Sequence, residues 1–280
     1  MFFATLLEGS LSPLAISHLT NLMDFGASEI CVMSSRKNLE RLISYERFKI
    51  CPHYSDQYLS IKTQRNRLQE HSFEINYFDS DFPRINLLKW YLIRDALLEK
   101  KHKSIIFSDM DVLWNAKFSK TFLNNFYRLP NTKVLVQKDG SQFCTGIMVW
   151  SRTDLLTKFL GELIEFHKES FAIKPYMDQE VFNILSSKEG GISLVKPLPD
   201  IEFVIGRNMS KYLMNGSLIS TSIAIHANYV VGQSPKHKIL SLILAYITNP
   251  NIPNLIKTLA VIFWEQKIKL RYHILRNRLK

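Results

Sequence analysis

Cysteine is scarce: Cys31, Cys51 and Cys144 are the three in 280 residues. The number is odd and no C-x-x-C or Cys/His spacing accompanies it. The spacing therefore indicates neither a disulfide framework nor a zinc site, and a reducing compartment fits. Long apolar runs are missing too, which argues against a transmembrane anchor. The N-terminus, MFFATLLEGS, has no basic region ahead of its apolar residues and soon meets Glu8, so no signal peptide is expected. A cytoplasmic location follows as the expectation. No G-x-G-x-x-G follows the first apolar run, which removes the dinucleotide fingerprint. Repeats, low-complexity tracts and long flexible linkers are also absent.

What is present reads as a globular chain, with 46% hydrophobic and 22% charged residues. Its length suits one large α/β domain or two small ones. Acids are outnumbered, giving a net charge of +11, which favours anionic partners. The excess is uneven. Between Lys257 and Lys280 seven basic residues face a single acid, Glu265, so more than half of it lies in the last tenth of the chain. Charge alone also suits nucleic acid. No helix-turn-helix, zinc-finger or aromatic RNA-binding signature supports that class, and no nucleic-acid partner is expected.

The chain opens as strand–helix–strand. Residues 2–7 form an apolar strand and residues 8–10 a turn. Ser12-Pro13 caps a helix that Gly26 ends, and residues 29–34 form the next strand. Such a unit predicts a parallel right-handed crossover with a nucleotide-sized crevice above it. Helices are expected over 36–44, 56–71, 87–101, 118–129, 153–168, 177–186, 235–248 and 254–280. Strands are expected over 73–78, 105–107, 133–137, 143–150, 192–196, 203–205 and 222–226. The breaker Asn249-Pro250-Asn251-Ile252-Pro253 isolates the last helix. The fold class is α/β, a domain over residues 1–238 followed by a C-terminal helical appendage over 239–280.

The stretch with most chemistry is KSIIFSDMDVLW, Lys103–Trp114. A short apolar strand delivers Ser108, Asp109, Met110 and Asp111. On an extended chain the two aspartates share a face, roughly 6–7 Å apart, so one hard divalent cation can sit between them. Without it they would repel and raise each other's pKa. Three further stretches accompany this one: FCTGIMVW (143–150), MDQEVFN (177–183) and HANYVVGQSPKHK (226–238). Thr145-Gly146 lets backbone approach a ligand closely. Asp178 either complements the helix dipole or takes part in chemistry. His226 offers an imidazole to a metal, and Lys236 or Lys238 an ammonium to phosphate. A metal-dependent phosphohydrolase or nuclease would also use paired aspartates, but would want more acids for two metals.

In order and spacing these stretches resemble the nucleotide-diphospho-sugar transferase family, glycosyltransferases of the GT-A fold with a D-x-D motif. The resemblance implies a Rossmann-like mixed sheet flanked by helices. It implies that Asp109, Asp111 and His226 hold Mn²⁺ or Mg²⁺ on the donor diphosphate. Lys89, with Arg84 in an R-x-x-x-x-K pattern, would lie near the donor, and Asp178 and Gln179 would face the donor sugar. Ala4, Thr5 and Leu6 would lie by the nucleotide base. Ser108, Met110, Thr145, Gly146, Gly232 and Lys236 would complete the donor site. Relatives often carry Asn-x-Gly where this chain has Cys144-Thr145-Gly146. The implied partners are a UDP-sugar, for example UDP-xylose or UDP-galactose, and an oligosaccharide or glycoprotein acceptor, with retention of configuration. Peripheral membrane contact through 254–280 is a further expectation, drawn from its mixed apolar and basic residues.

Overall fold

The computed structural model describes residues 1–7, 9, 11–58, 82–99, 102–126, 132–171, 176–188, 190–199, 202–205, 221–227 and 233–248. Its first half is wound as the opening sequence suggests. Strand β1 (Phe2–Leu6) leads to helix α1 (Pro13–Asp24), strand β2 (Glu29–Ser34), helix α2 (Arg36–Ile43) and strand β3 (Ile50–Tyr54). Ser12 caps α1 by accepting a hydrogen bond from Ala15 N at 3.3 Å, and Pro13 fills the first helical position, where no N–H is needed. Phe25 closes the helix and Gly26, at φ +103°, reverses the chain as a side-chain-bearing residue rarely does. Helix α3 (Phe82–Leu98) then delivers strands β4 (Ser104–Ser108) and β5 (Val112–Trp114).

The second half contains α4 (Ser119–Phe126), β6 (Val134–Asp139), β7 (Gln142–Ser151), α5 (Asp154–Ser170), α6 (Asp178–Ser186) and a helical turn, α7 (Gly191–Leu194). Strands β8 (Val195–Pro197), β9 (Phe203–Ile205) and β10 (Ala224–His226) and helix α8 (Gln233–Thr248) follow. The main sheet has the order β3-β2-β1-β4-β7-β6-β8, and a smaller one the order β5-β10-β9. In the main sheet β7 alone runs against the others. Strands β2 and β4 flank β1 on opposite sides, so the winding reverses between β1 and β4. Above the carboxyl ends of those two strands lies the switch-point crevice of an open α/β sheet.

Two apolar layers cover the sheet. One packs Leu88, Leu92 and Ile93 of α3 and Phe159, Leu163 and Phe182 of α5 and α6 against Ala4, Phe107 and Trp150. The other packs Leu19 and Leu22 of α1 and the small sheet against Phe3, Ile106 and Ile147. Burying side chains of this size stabilises by about 1.5–3 kcal/mol each.

The structure departs from the sequence reading in identifiable places. Strand β3 is unanticipated, because Pro52 and His53 interrupt its apolar pattern; Pro52 is tolerated because β3 is an edge strand. Residues 192–196 were expected as a strand, whereas Gly191–Leu194 form a helical turn and strand pairing begins at Val195. Of the helix expected over 56–71, Ser55–Tyr58 form a 3₁₀ turn. Its remainder, the strand over 73–78, the helix over 254–280 and Gly232 lie outside the described residues. Helix α8 runs unbroken through position 238, the expected end of the main domain.

Candidate active site

Strands β4 and β5 belong to different sheets, so the chain must bend between them, and Asp109-Met110-Asp111 is that bend. Asp109 N donates to Gly146 O on β7 at 2.8 Å, and Val112 N donates back to Asp109 O at 3.2 Å. The aspartates thus lie in a turn, not on the extended chain from which the sequence argument placed them on one face. They still converge, because the turn brings both carboxylates to the imidazole of His226. His226 Nε2 lies 3.1 Å from Asp111 Oδ1 and 3.9 Å from Asp109 Oδ2. One ligand atom from each of the three residues lies within 4.8 Å of the others.

The turn is braced from α1. Asn21 accepts from Trp114 N and donates to Trp114 O, both at 2.7 Å, and His18 Nδ1 sits 3.1 Å from Val112 O. Ser108 is fully buried and accepts from the Trp114 indole N–H at 2.9 Å. Met110 lines a cavity of about 460 Å³ between α1 and α8.

His226 is oriented by residues the sequence did not single out. Gln137 Nε2 donates to Phe203 O at 3.2 Å, which turns Gln137 Oε1 toward His226 Nδ1, 3.0 Å away. A carbonyl there requires Nδ1 to carry a proton, so in the neutral ring the lone pair on Nε2 faces the aspartates. Cys144 Sγ lies 3.6 Å from the same Nδ1. Gly146 makes room for the ring: a Cβ at that position would fall 2.0 Å from His226 Cε1. The close approach expected at this glycine was to a ligand; in the structure the group that takes the space is the imidazole. Gln137 left one trace in the sequence, a lone amide at the end of an apolar strand.

A second arm comes from the opposite face. Lys89, on α3 and 4% exposed, ion-pairs with Asp178 at the first turn of α6 and lies 3.3 Å from Asp109 Oδ1. It also donates to Thr145 O at 3.3 Å and Oγ1 at 3.4 Å, and sits 4.7 Å above the Phe107 ring. The Thr145 hydroxyl donates to Asp178. Asn183 holds α6 against β7 by pairing with both Phe143 N and Phe143 O at 2.8 Å. Gln179, one residue beyond Asp178, is half-buried. From α8, Lys236 ion-pairs with the other oxygen of Asp111. Ala4 and Thr5 are fully buried and Leu6 partly so, and pairing of Ala4 with Phe107 sets Thr5 and Leu6 beside the end of β4. Thr5 Oγ1 has no hydrogen-bond partner among the described residues.

Charge coupling is strong here. Burial works against the His226 cation, yet the Asp111 carboxylate beside it pushes its pKa up to about 10. Burial would raise Asp111, but His226 and Lys236 hold it well below the usual carboxylate range. Burial raises Asp109, and the Asp111 carboxylate adds to this against the pull of Lys89. Asp178 is held low despite burial, by Lys89 first and Thr145 second. Lys89 stays charged in spite of burial because Asp109 and Asp178 face it. Two carboxylates and an imidazole in such a corner fit a divalent cation with mixed oxygen and nitrogen ligation.

Comparison with known families gives the decisive observation: the profile of nucleotide-diphospho-sugar transferases matches residues 45–240. The chain belongs to the nucleotide-diphospho-sugar transferase family. It is a glycosyltransferase of GT-A type that uses a nucleotide-sugar donor. Among solved structures, the transferase is similar in fold to the glycosyltransferase GlyE of Streptococcus pneumoniae, with TM-score 0.52 and 11% identity over 96% of this chain and 64% of that one. It is similar to the galactosyltransferase LgtC, solved with donor and acceptor sugar analogs, with TM-score 0.51 and 10% identity over 89% of this chain and 97% of that one. Mouse xyloside xylosyltransferase 1 aligns with TM-score 0.49 and 12% identity over 81% of this chain and 98% of that one. Comparison with curated protein sequences gives no match. Among the described residues no helix of the transferase is long and apolar enough to cross a membrane.

Proposed function

We propose that the transferase moves a sugar from a UDP-sugar, such as UDP-xylose or UDP-galactose, to a hydroxyl of an oligosaccharide or glycoprotein, with retention of configuration. The observation that carries this reading is the meeting of Asp109, Asp111 and His226 at the carboxyl end of β4. These three side chains would hold Mn²⁺ or Mg²⁺. A bound cation supplies Lewis acidity and neutralises the diphosphate.

The remaining residues divide the work by position. Lys236 would place its ammonium beside the leaving diphosphate, adding positive charge where negative charge accumulates. Lys89 and Thr145 fix the Asp178 carboxylate, and its low pKa makes it a weak base. We therefore assign Asp178, with Gln179 next to it, to binding hydroxyls of the donor sugar rather than to removing the acceptor proton. Ala4, Thr5 and Leu6 would line the base, Thr5 with a hydroxyl that has no partner among the described residues. Domain limits of 1–238 and 239–280 belong to the same reading, as does contact of 254–280 with an anionic membrane. Co-sedimentation with anionic liposomes tests that contact, since a chain ending at Asn249 should bind less than the full chain.

Incubation with a panel of UDP-sugars, read as UDP release, identifies the donor, and NMR of the first-formed linkage gives its configuration. In the same assay Asp111→Ala should lose at least about 100-fold in turnover while keeping the wild-type circular dichroism spectrum. Wild-type-like transfer by that variant would overturn the assignment.

A further inference from the structure

We propose that Cys31, Cys51 and His53 form a second metal site, for a soft divalent cation such as Zn²⁺, on the α3-covered face of β2 and β3. Register brings the ligands together. Cys31 on β2 pairs with Cys51 on β3, and two-residue alternation puts Cys51 and His53 on one face. One ligand atom from each of the three lies within 4.8 Å of the others. Cys51 Sγ is 3.7 Å from His53 Nε2, and Cys31 Sγ is 3.8 Å from His102 Nε2. In a tetrahedron with Zn–S of about 2.3 Å and Zn–N of about 2.0 Å, ligand atoms stand roughly 3.5–3.8 Å apart. The Cys51–His53 contact already has that spacing, and the other two pairs of the triad lie within 4.8 Å.

Burial points the same way. Cys31, Cys51, His53 and His102 are all 9% exposed or less, and none of the chain's cysteines is in a disulfide. Asp95 and Glu99 of α3 bring carboxylates within 4.8 Å of His53, as carboxylates commonly stand behind a metal-ligating imidazole. His102 approaches the Cys31 sulfur from the loop before β4 but groups with Glu29 and Cys31 rather than with Cys51 and His53, which leaves water as the fourth ligand. The donors are soft, unlike the oxygen-rich set at Asp109 and Asp111, so the two places would select different metals. Strands β2 and β3 lie two and three positions from β4, roughly 10–15 Å across the sheet. The site is thus separate from the D-x-D turn. The sequence concealed it because its ligands come from adjacent parallel strands rather than from one short Cys/His motif.

Cobalt replacement tests the proposal. The full chain is stripped with EDTA under reducing, air-free conditions and titrated with Co²⁺. Wild-type protein should take up one equivalent with intense visible bands and sulfur-to-cobalt charge transfer, and one equivalent of Zn²⁺ should erase both. The bands should persist in the Asp109→Asn/Asp111→Asn variant and fall at least tenfold in Cys31→Ser and in Cys51→Ser. Only weak, octahedral bands in wild type would overturn the site, without reference to how the cysteine variants fold. So would thiolate bands that survive Cys51→Ser, or a Cys31–Cys51 disulfide in the freshly isolated protein.

Discussion

The transferase meets its acidic turn with two lysines, and they are held very differently. Lys89 arises from the middle of a helix in the core, is 4% exposed, and contacts Asp109, Asp178 and Thr145 together. Lys236 stands near the start of the last described helix, with its side chain 23% exposed, and its ion pair is to Asp111 alone among the described residues. The first is a buried charge that the surrounding fold must keep compensated. The second is a partly solvated pair that can exchange partners at little cost. The contrast suggests a fixed side of the site, which shapes it, and an adjustable side, which can answer a ligand.

The sharpest way to break this contrast is to remove one partner on the fixed side. Asp178→Ala leaves the Lys89 ammonium buried with a single carboxylate, and should cost about 3–5 kcal/mol in urea denaturation. A change near that of Lys236→Met would mean the two pairs are equivalent. Acid should weaken both sides through buried histidines. His167, behind the Lys89 side, and His18, behind the aspartate turn, each have the pKa pushed down by burial to about 4. Both are lower than in the unfolded chain. The stability they contribute is therefore complete above about pH 6.5 and lost as pH falls toward 4, up to about 3 kcal/mol for each. Denaturation midpoints measured between pH 7 and 4 should show this loss, and histidine NMR titration should assign it.

Smaller effects separate the sides further. Gly146→Ala drives a methyl into the His226 ring and should weaken Mn²⁺ binding by about 10–100-fold, measured by calorimetry, because the imidazole loses its orientation. Lys236→Met should change stability by less than about 1 kcal/mol while slowing sugar transfer about tenfold or more. Equal losses in stability and transfer would place Lys236 with the fixed side.

Features confined to a short stretch were legible in the sequence. The strand into Asp109 and Asp111, the Ser12-Pro13 helix start and the Thr-Gly pair announce themselves within a few residues, and the structure contains each. What depends on packing between distant segments was not. Lys89, Thr145 and Asp178 were each singled out, but no spacing shows that one ammonium joins them. Gln137 orients His226 only because β6 and β9 are neighbours, and Asn21 clamps β5 only because α1 lies across it. Strand β3 escaped notice because an edge strand accepts a proline that a central one would reject. The extended Asp-x-Asp picture failed for a related reason: the sequence does not show that β4 and β5 part into different sheets.

The amide of Ala227 donates to the carbonyl of Asp111 at 2.9 Å, immediately after the strand that carries His226. Together with the antiparallel pairing of β10 and β5, this bond knots two distant stretches of chain beside the Asp109–Asp111–His226 corner. The entropy lost in bringing them together is therefore spent when the polypeptide folds, before any ion arrives. Capture of the proposed ion would then need only small adjustments of three side chains. Affinity should accordingly stay nearly level as denaturant is raised, and collapse only when the small sheet itself comes apart.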